Sequence, residues 1–280
     1  MVFLLADRFA CRPSCECLES DGVERWDVQD VNAELDERED LEEVHLANGT
    51  RYRGQWVHGS PDGDGVQVWP DGGKYTGEFS GGRAHGIGTF EFANGDVYVG
   101  PWVDDFAHGL GVCRCKDGSV YKGEWHKGQR HGQATMVSQD GSRYKGQYID
   151  GVKGGSGEIV FGDSRDGVFY EGQFQDDVFH GYGVYKWKDG RSYSGNWRNG
   201  KMHGQGTFFF ADGRKYVGSY EDDKKHGKGV FMWPDGRVYR GQMESGKMHG
   251  RGTYTDVDGS VAYSEWRDGK RLEDLNFAEA

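Results

Sequence analysis

Residues 193–213 read YSGNWRNGKMHGQGTFFFADG, and the octapeptide KMHGQGTF inside them, at 201–208, returns as KMHGRGTY at 247–254. The return asks whether His-Gly-x-Gly is a metal ligand, a base beside a phosphate loop, or a piece of repeated scaffold. Tyrosine spacing decides. Tyr52, Tyr75, Tyr98, Tyr121 and Tyr144 recur every 23 residues, and Tyr170, Tyr193, Tyr216 and Tyr239 recur every 23 again after three extra residues. Counting each Tyr as position 0, Gly stands at +2 and +11 in all nine units, an aromatic at +4 in eight, with Met243 the exception, and Asp/Asn-Gly precedes every Tyr. A fixed period of this length marks a repeat architecture.

Within a unit, period-2 alternation places 0, +2 and +4 on one face of a first strand and +13, +15 and +17 on one face of a second. Pairing the two with Tyr opposite +17 sets Gly at +2 against a bulky +15 residue (Phe90, Ile159, Tyr185, Phe208, Phe231) and predicts that large faces small at every rung. The other face reads Lys122/Glu124, Lys145/Gln147, Glu171/Gln173 and Arg240/Gln242, a solvated surface. Links such as Pro70-Asp71-Gly72, Ala93-Asn94-Gly95 and Lys188-Asp189-Gly190 fit a three-residue hairpin loop with Gly in the left-handed region. The expected fold is all-β: an elongated, single-layer, twisted antiparallel sheet of stacked hairpins, on the order of 90 to 100 Å long. EEVHLANG upstream and the degenerate unit around Ala262, Ser264 and Trp266 look like capping half-repeats. The insertion at 162–169 is either a tolerated loop or a kink dividing the array.

His occupies +10 in seven of the nine units. Neighbouring copies should lie two strand spacings apart, roughly 9 to 10 Å, too far to share a metal. They are read as structural histidines, bonded to backbone or packed on a neighbouring aromatic. The following Gly-x-Gly lacks the helix that would make it a phosphate cradle. No residue is assigned to catalysis, to a metal or to a cofactor, and the chain is read as a non-enzyme.

Composition agrees with turns joining short strands, with 48 Gly and 14% aromatic residues in 280. The net charge of −12 sits at the ends: residues 1–43 carry 14 acidic and 4 basic groups, whereas 44–270 carry 29 of each. A neutral body offers no large basic surface for nucleic acid or anionic lipid. The order is an acidic arm over 1–43, the repeat array over 44–270 and an acidic tail over 271–280. Within the arm, Val28, Val31 and Leu35 share one face of a short amphipathic helix predicted over 27–43, fit to cap the first hairpin or to lie on the sheet. The MVFLL opening is too short for a secretory leader, and the odd count of 5 Cys fits free thiols in a reducing, cytoplasmic setting. Cys11, Cys15 and Cys17 lack a fourth zinc ligand, and an acidic arm disfavours lipid anchoring through them.

The pattern Tyr-x-Gly-x-Trp-x-x-Gly-x-x-His-Gly-x-Gly-x-x-x-Phe/Trp-x-Asp-Gly resembles the MORN repeat, over about 44–270. The resemblance implies a protein-binding scaffold of a cytoskeletal assembly, in the axoneme of a cilium or flagellum as in radial-spoke heads, or at a membrane-cytoskeleton junction. It also implies a groove able to hold a partner helix. Members that are kinases or methyltransferases carry a catalytic domain beside the array, for which 43 residues before it and ten after leave no room. The candidate groove residues are Trp102, Trp125, Tyr148, Phe174 and Trp197. In the alternative reading, twist lets successive rungs cover these rings and they are core. A phosphoinositide-binding adaptor is the second functional reading, and unpaired terminal strands leave room for a homodimer.

Overall fold

The computed structural model describes residues 39–162 and 167–274, and over these it is all-β and antiparallel. Its strands group into two compact units with the boundary between Val152 and Lys153.

In the first unit, β1 (Glu39–His45), β2 (Arg51–Val57), β3 (Ser60–Val68), β4 (Lys74–Ser80), β5 (Arg83–Glu91) and β6 (Val97–Val103) pair in sequence order. β6 then pairs with a broken strand, β7 (Phe106–Ala107) and β8 (Gly109–Arg114), and β9 (Val120–His126), β10 (Gln129–Val137) and β11 (Arg143–Ile149) complete the unit. In the second unit, β12 (Val152–Val160), β13 (Phe169–Gln175), β14 (Val178–Lys186), β15 (Ser192–Arg198), β16 (Lys201–Phe209) and β17 (Lys215–Glu221) again pair consecutively. They are followed by β18 (Lys224–Met232), β19 (Val238–Glu244), β20 (Lys247–Thr255), β21 (Val261–Arg267) and β22 (Lys270–Asp274).

Two turns alternate. The loop between units is the expected three-residue type: Gly72 has φ +96°, Gly72 N donates to Trp69 O at 3.0 Å and Trp69 N to Gly73 O at 2.8 Å. The turn inside each unit, at +6 and +7, puts both residues in the left-handed region, as Asn199 (φ 51°) and Gly200 (φ 75°) do. This is the geometry that matches strand twist in two-residue hairpins. Its second residue reaches back to the preceding unit: Gly82 N donates to Pro61 O at 2.9 Å and Gly200 N to Phe179 O at 2.9 Å.

The register differs from expectation by two residues. Tyr75 lies opposite Phe90 and Gly77 opposite Gly88, with a bulge before Phe79 meets Ala84. The same holds for Tyr193 with Phe208 and Gly195 with Gly206. At these two rungs large therefore faces large and glycine faces glycine, and a glycine column runs through each unit: Gly77, Gly88, Gly100 and Gly111 in the first, Gly195, Gly206, Gly218 and Gly229 in the second. The cause is the Tyr side chain, which lies over that column. A Cβ on Gly77 would stand 2.8 Å from Tyr75 Oη and 2.6 Å from the Ile87 carbonyl oxygen, well inside contact distance.

The bulge also explains why the residue is Tyr and not Phe. It disrupts the ladder at +3, and the phenol donates to that carbonyl in all nine units, from Tyr121 to Glu124 O at 2.8 Å to Tyr216 to Ser219 O at 3.2 Å. Burial pushes the phenols of Tyr216 and Tyr239 up to about 12, so they remain donors at any physiological pH. The +3 side chain closes the other side of the bulge: Glu78 Oε1 accepts from Ile87 N at 2.9 Å and Gln173 Oε1 from Tyr182 N at 3.0 Å.

Three further expectations change. Residues 39–43, assigned to a helix, lie in β1, which covers the open edge of β2 and satisfies its backbone groups; residues 27–38 fall outside the described chain. Arg271–Asp274, assigned to the tail, lie in β22. The expectation of free thiols fails at Cys115, which is disulfide-bonded; Cys113, two residues before it, is buried.

Candidate partner-binding face

Both units present one ring-covered face, and the +4 residues are its floor. Trp102 sits edge-on to Tyr98 at 5.3 Å and to Tyr75 of the preceding repeat at 5.1 Å, so each ring is clamped by two tyrosines. Trp125 repeats this with Tyr121 and Tyr98, and Tyr148 with Tyr144 and Tyr121. In the second unit Phe174 packs against Tyr170, and Trp197 against Tyr193 and Tyr170. Edge-to-face contacts of this kind add about 0.5 to 1.5 kcal/mol each beyond area burial. Trp102 Nε1 also donates to Gly88 O at 3.3 Å and Trp197 Nε1 to Gly183 O at 3.2 Å. All five candidate groove residues are buried, between 2% exposed (Tyr148, Trp197) and 7% exposed (Trp102). The geometry makes them floor, with little surface of their own to offer.

The reachable rings are one column over, at +17, just before each inter-unit loop. This column was part of the repeat pattern and was not singled out as a site. In the second unit half-buried Trp187, Phe210 and Trp233 alternate with buried Tyr185, Phe208 and Phe231. Ring centroids follow one another at 4.6 Å (Tyr185–Trp187), 5.4 Å (Trp187–Phe208), 4.6 Å (Phe208–Phe210), 5.6 Å (Phe210–Phe231) and 4.7 Å (Phe231–Trp233). In the first unit the column begins as Trp69 and Phe92 and then changes to Cys115 and Ser138.

The opposite face is mixed: polar side chains alternate with exposed apolar ones, among them Ile87 and Leu110, 58% and 73% exposed, on strands next to Pro101, and Val99, Ile149, Tyr182 and Phe209. The ladder histidines lie toward it, beside turn carboxylates. His131 Nδ1 is 3.5 Å from Asp150 Oδ1, His203 Nδ1 3.7 Å from Asp222 Oδ1 and His249 Nε2 3.2 Å from Glu244 Oε2. Against the expectation of a ring bonded to backbone or packed on a neighbouring aromatic, His108 and His131 do lie 5.2 and 5.8 Å from the His126 ring, whereas the carboxylate neighbours are an addition, because +10 falls on the far side of the strand. Among the described residues no group of three or more His, Cys, Asp or Glu could hold a metal ion. Nor is any helix among them long and apolar enough to cross a membrane.

Nine copies of the MORN repeat model match the chain, at 52–74, 75–97, 98–120, 121–143, 144–164, 170–190, 193–213, 216–236 and 239–261. The chain belongs to the MORN-repeat family. A comparison with curated proteins finds no match. Among solved structures, the chain is similar to the TCP10 domain of Danio rerio CPAP in complex with a STIL peptide, at 16% identity and a TM-score of 0.43, covering 84% of this chain and 98% of that one. It is also similar to the Drosophila melanogaster SAS-4 TCP domain bound to a proline-rich motif of Ana2, at 8% identity and a TM-score of 0.36, covering 56% and 84%. A third likeness, at 9% identity and a TM-score of 0.17, is to virginiamycin B lyase from Staphylococcus aureus, covering 85% and 90%. At TM-scores below 0.5 these likenesses carry no functional argument.

Proposed function

We propose that this chain is a non-enzymatic, protein-binding scaffold of a cytoskeletal assembly, in the axoneme of a cilium or flagellum or at a membrane-cytoskeleton junction. One observation carries the reading: each unit is a hairpin sheet with a ring-covered face, and in the second unit that face ends in a column of half-buried aromatics, Trp187, Phe210 and Trp233. Trp and Tyr with one side free are the residue types that dominate binding energy at interfaces. A partner segment would lie along that face, on a floor that includes Trp102, Trp125 and Tyr148 in the first unit and Phe174 and Trp197 in the second. The cellular setting rests on family resemblance alone.

The test is affinity capture from ciliated cells with the full chain as bait, beside the double variant Trp187→Ala/Trp233→Ala. Cytoskeletal proteins held by the wild type and lost from the variant, with native circular dichroism in both, are the expected result. Equal capture by both, or absence of the chain from isolated axonemes and cytoskeletal fractions, would refute it.

A further inference from the structure

The second unit carries a cationic stripe that the first lacks. At +21, at the end of each inter-unit loop, three consecutive repeats place Arg191, Arg214 and Arg237, where the first unit has Gly73, Asp96, Ser119 and Ser142. Each guanidinium lies over the +17 ring of its own loop: Arg191 over Trp187 at 5.4 Å, Arg214 over Phe210 at 5.0 Å and Arg237 over Trp233 at 5.4 Å. A loop aspartate holds each one through Nε, Asp189 and Asp212 at 2.7 Å and Asp235 at 2.8 Å. For Arg191 and Arg214 the aspartate hydrogen bond uses Nε alone and fixes the fork with its terminal N–H groups uncommitted to that carboxylate.

Among these groups stands one charge without an anion. Lys225 occupies +9, on the ring face, where the neighbouring repeats have Met202 and Met248. Its ammonium lies 5.2 Å from the centre of Phe210, 5.3 Å from Phe231 and 5.6 Å from Tyr216. Arg214 shares two of those rings, at 5.0 Å from Phe210 and 5.9 Å from Phe231. No described carboxylate makes a salt bridge with Lys225, in contrast to Lys153 at the same repeat position, which is 3.3 Å from Asp177. Burial first, and Arg214 second, push the Lys225 ammonium pKa down. Two cations on one pair of rings, one of them half-buried and unpaired, cost stability unless an anion arrives.

We propose that this stripe, from Trp187 to Arg237 and centred on Lys225, receives an acidic peptide segment of a protein partner. The inference rests on the scaffold reading and names the chemistry of its partner. Successive arginines are two strand spacings apart, roughly 9 to 10 Å, and a polyproline-II chain, which turns every third side chain to one face, advances about 9.3 Å in three residues. A carboxylate at every third position therefore meets each cation in turn, while the intervening apolar side chains lie on the rings. Charge complementarity selects this occupant over a neutral helix. The aspartates lining the loops disfavour a polyphosphate, whose unbroken negative charge would run along them.

The experiment uses the full chain, a short labelled peptide with Glu at every third position among Leu and Ser, and its twin with every Glu changed to Gln. The Glu peptide should bind about tenfold or more tightly than its twin, as charge-assisted hydrogen bonds require. Lys225→Met should lower that affinity about tenfold with unchanged circular dichroism, since Met is the natural occupant of this position on either side. Equal binding of the twins, unchanged affinity in Lys225→Met, or tighter binding of an oligonucleotide of equal charge would overturn the proposal. If the Glu peptide fails to bind while the chain still captures protein partners, the stripe is refuted and the scaffold stands. If the peptide binds and no protein is captured, the stripe stands and the scaffold reading falls.

Discussion

If Tyr rings over a glycine column set the register, Gly206→Ala should be destabilising only while Tyr193 is present. Gly206 has no positive φ, so backbone strain plays no part. A Cβ there would meet the Tyr193 ring, with Cζ at 2.6 Å. Overpacking of this kind costs about 2 kcal/mol, and Tyr193→Ala about 4 kcal/mol through the cavity it leaves. Without the ring the added methyl has space, so the double variant should lose about 4 kcal/mol rather than the additive ~6, a coupling of about 2 kcal/mol. The chain contains a related double change in the facing column: in the last repeat Ala262 stands at the Tyr position and buried Ser264 at the +2 glycine position. Ala134, buried at the same +13 position of a repeat that keeps Tyr121, shows that the fold can hold one methyl there, so the cost at Gly206 should lie within the ordinary overpacking range. Urea unfolding of the four proteins, followed by far-ultraviolet circular dichroism with unchanged slope, measures the cycle. Additive losses would refute the steric reasoning.

Other outcomes follow from the same geometry. Tyr193→Phe removes the 2.9 Å hydrogen bond to the Asn196 carbonyl and should lower stability by about 1 to 2 kcal/mol, read in the same urea assay. Trp125→Ala/Tyr148→Ala removes two buried, doubly clamped rings and should unfold the first unit, seen as lost circular dichroism, whereas Trp187→Ala/Trp233→Ala should keep the fold. Asp105 accepts Ala84 N at 2.7 Å, and burial pushes its carboxyl above the ordinary 3.8, partly offset by that N–H. The folded state then holds this proton more tightly than the unfolded one, so the contribution of Asp105 is present at low pH and is lost as pH rises through the raised value. Asp105→Asn keeps an acceptor without the charge, and its stability advantage over wild type should widen across the carboxylate range in a pH series of melts.

The hairpin period, the faces of each strand and the inter-unit loop were legible because each rests on local chemistry: alternation, and Pro-Asp-Gly or Lys-Asp-Gly at fixed offsets. The register was not, because it depends on a bulge that shifts pairing between +2 and +4, and alternation alone does not show where a strand gains a residue. The signal was present in the +3 column, where Gln55, Glu78, Glu124, Gln147 and Gln173 are all able to accept the backbone N–H that the bulge frees. Likewise, aromatics at +4 read as groove and aromatics at +17 read as pattern, since both alternate inward. Only the tilt of the Trp rings between successive tyrosines decides which is floor and which is reachable. Lys225 was illegible as a site because lysine at +9 differs from its neighbours only by what surrounds it in space.

The central claim is that glycine faces glycine beneath each Tyr. Selective labelling of glycine and measurement of Hα–Hα contacts by nuclear magnetic resonance tests it directly. Cross-peaks linking Gly195 to Gly206 and Gly206 to Gly218 are the expected result; contacts from Gly206 to Trp197, with none between the glycines, would contradict it.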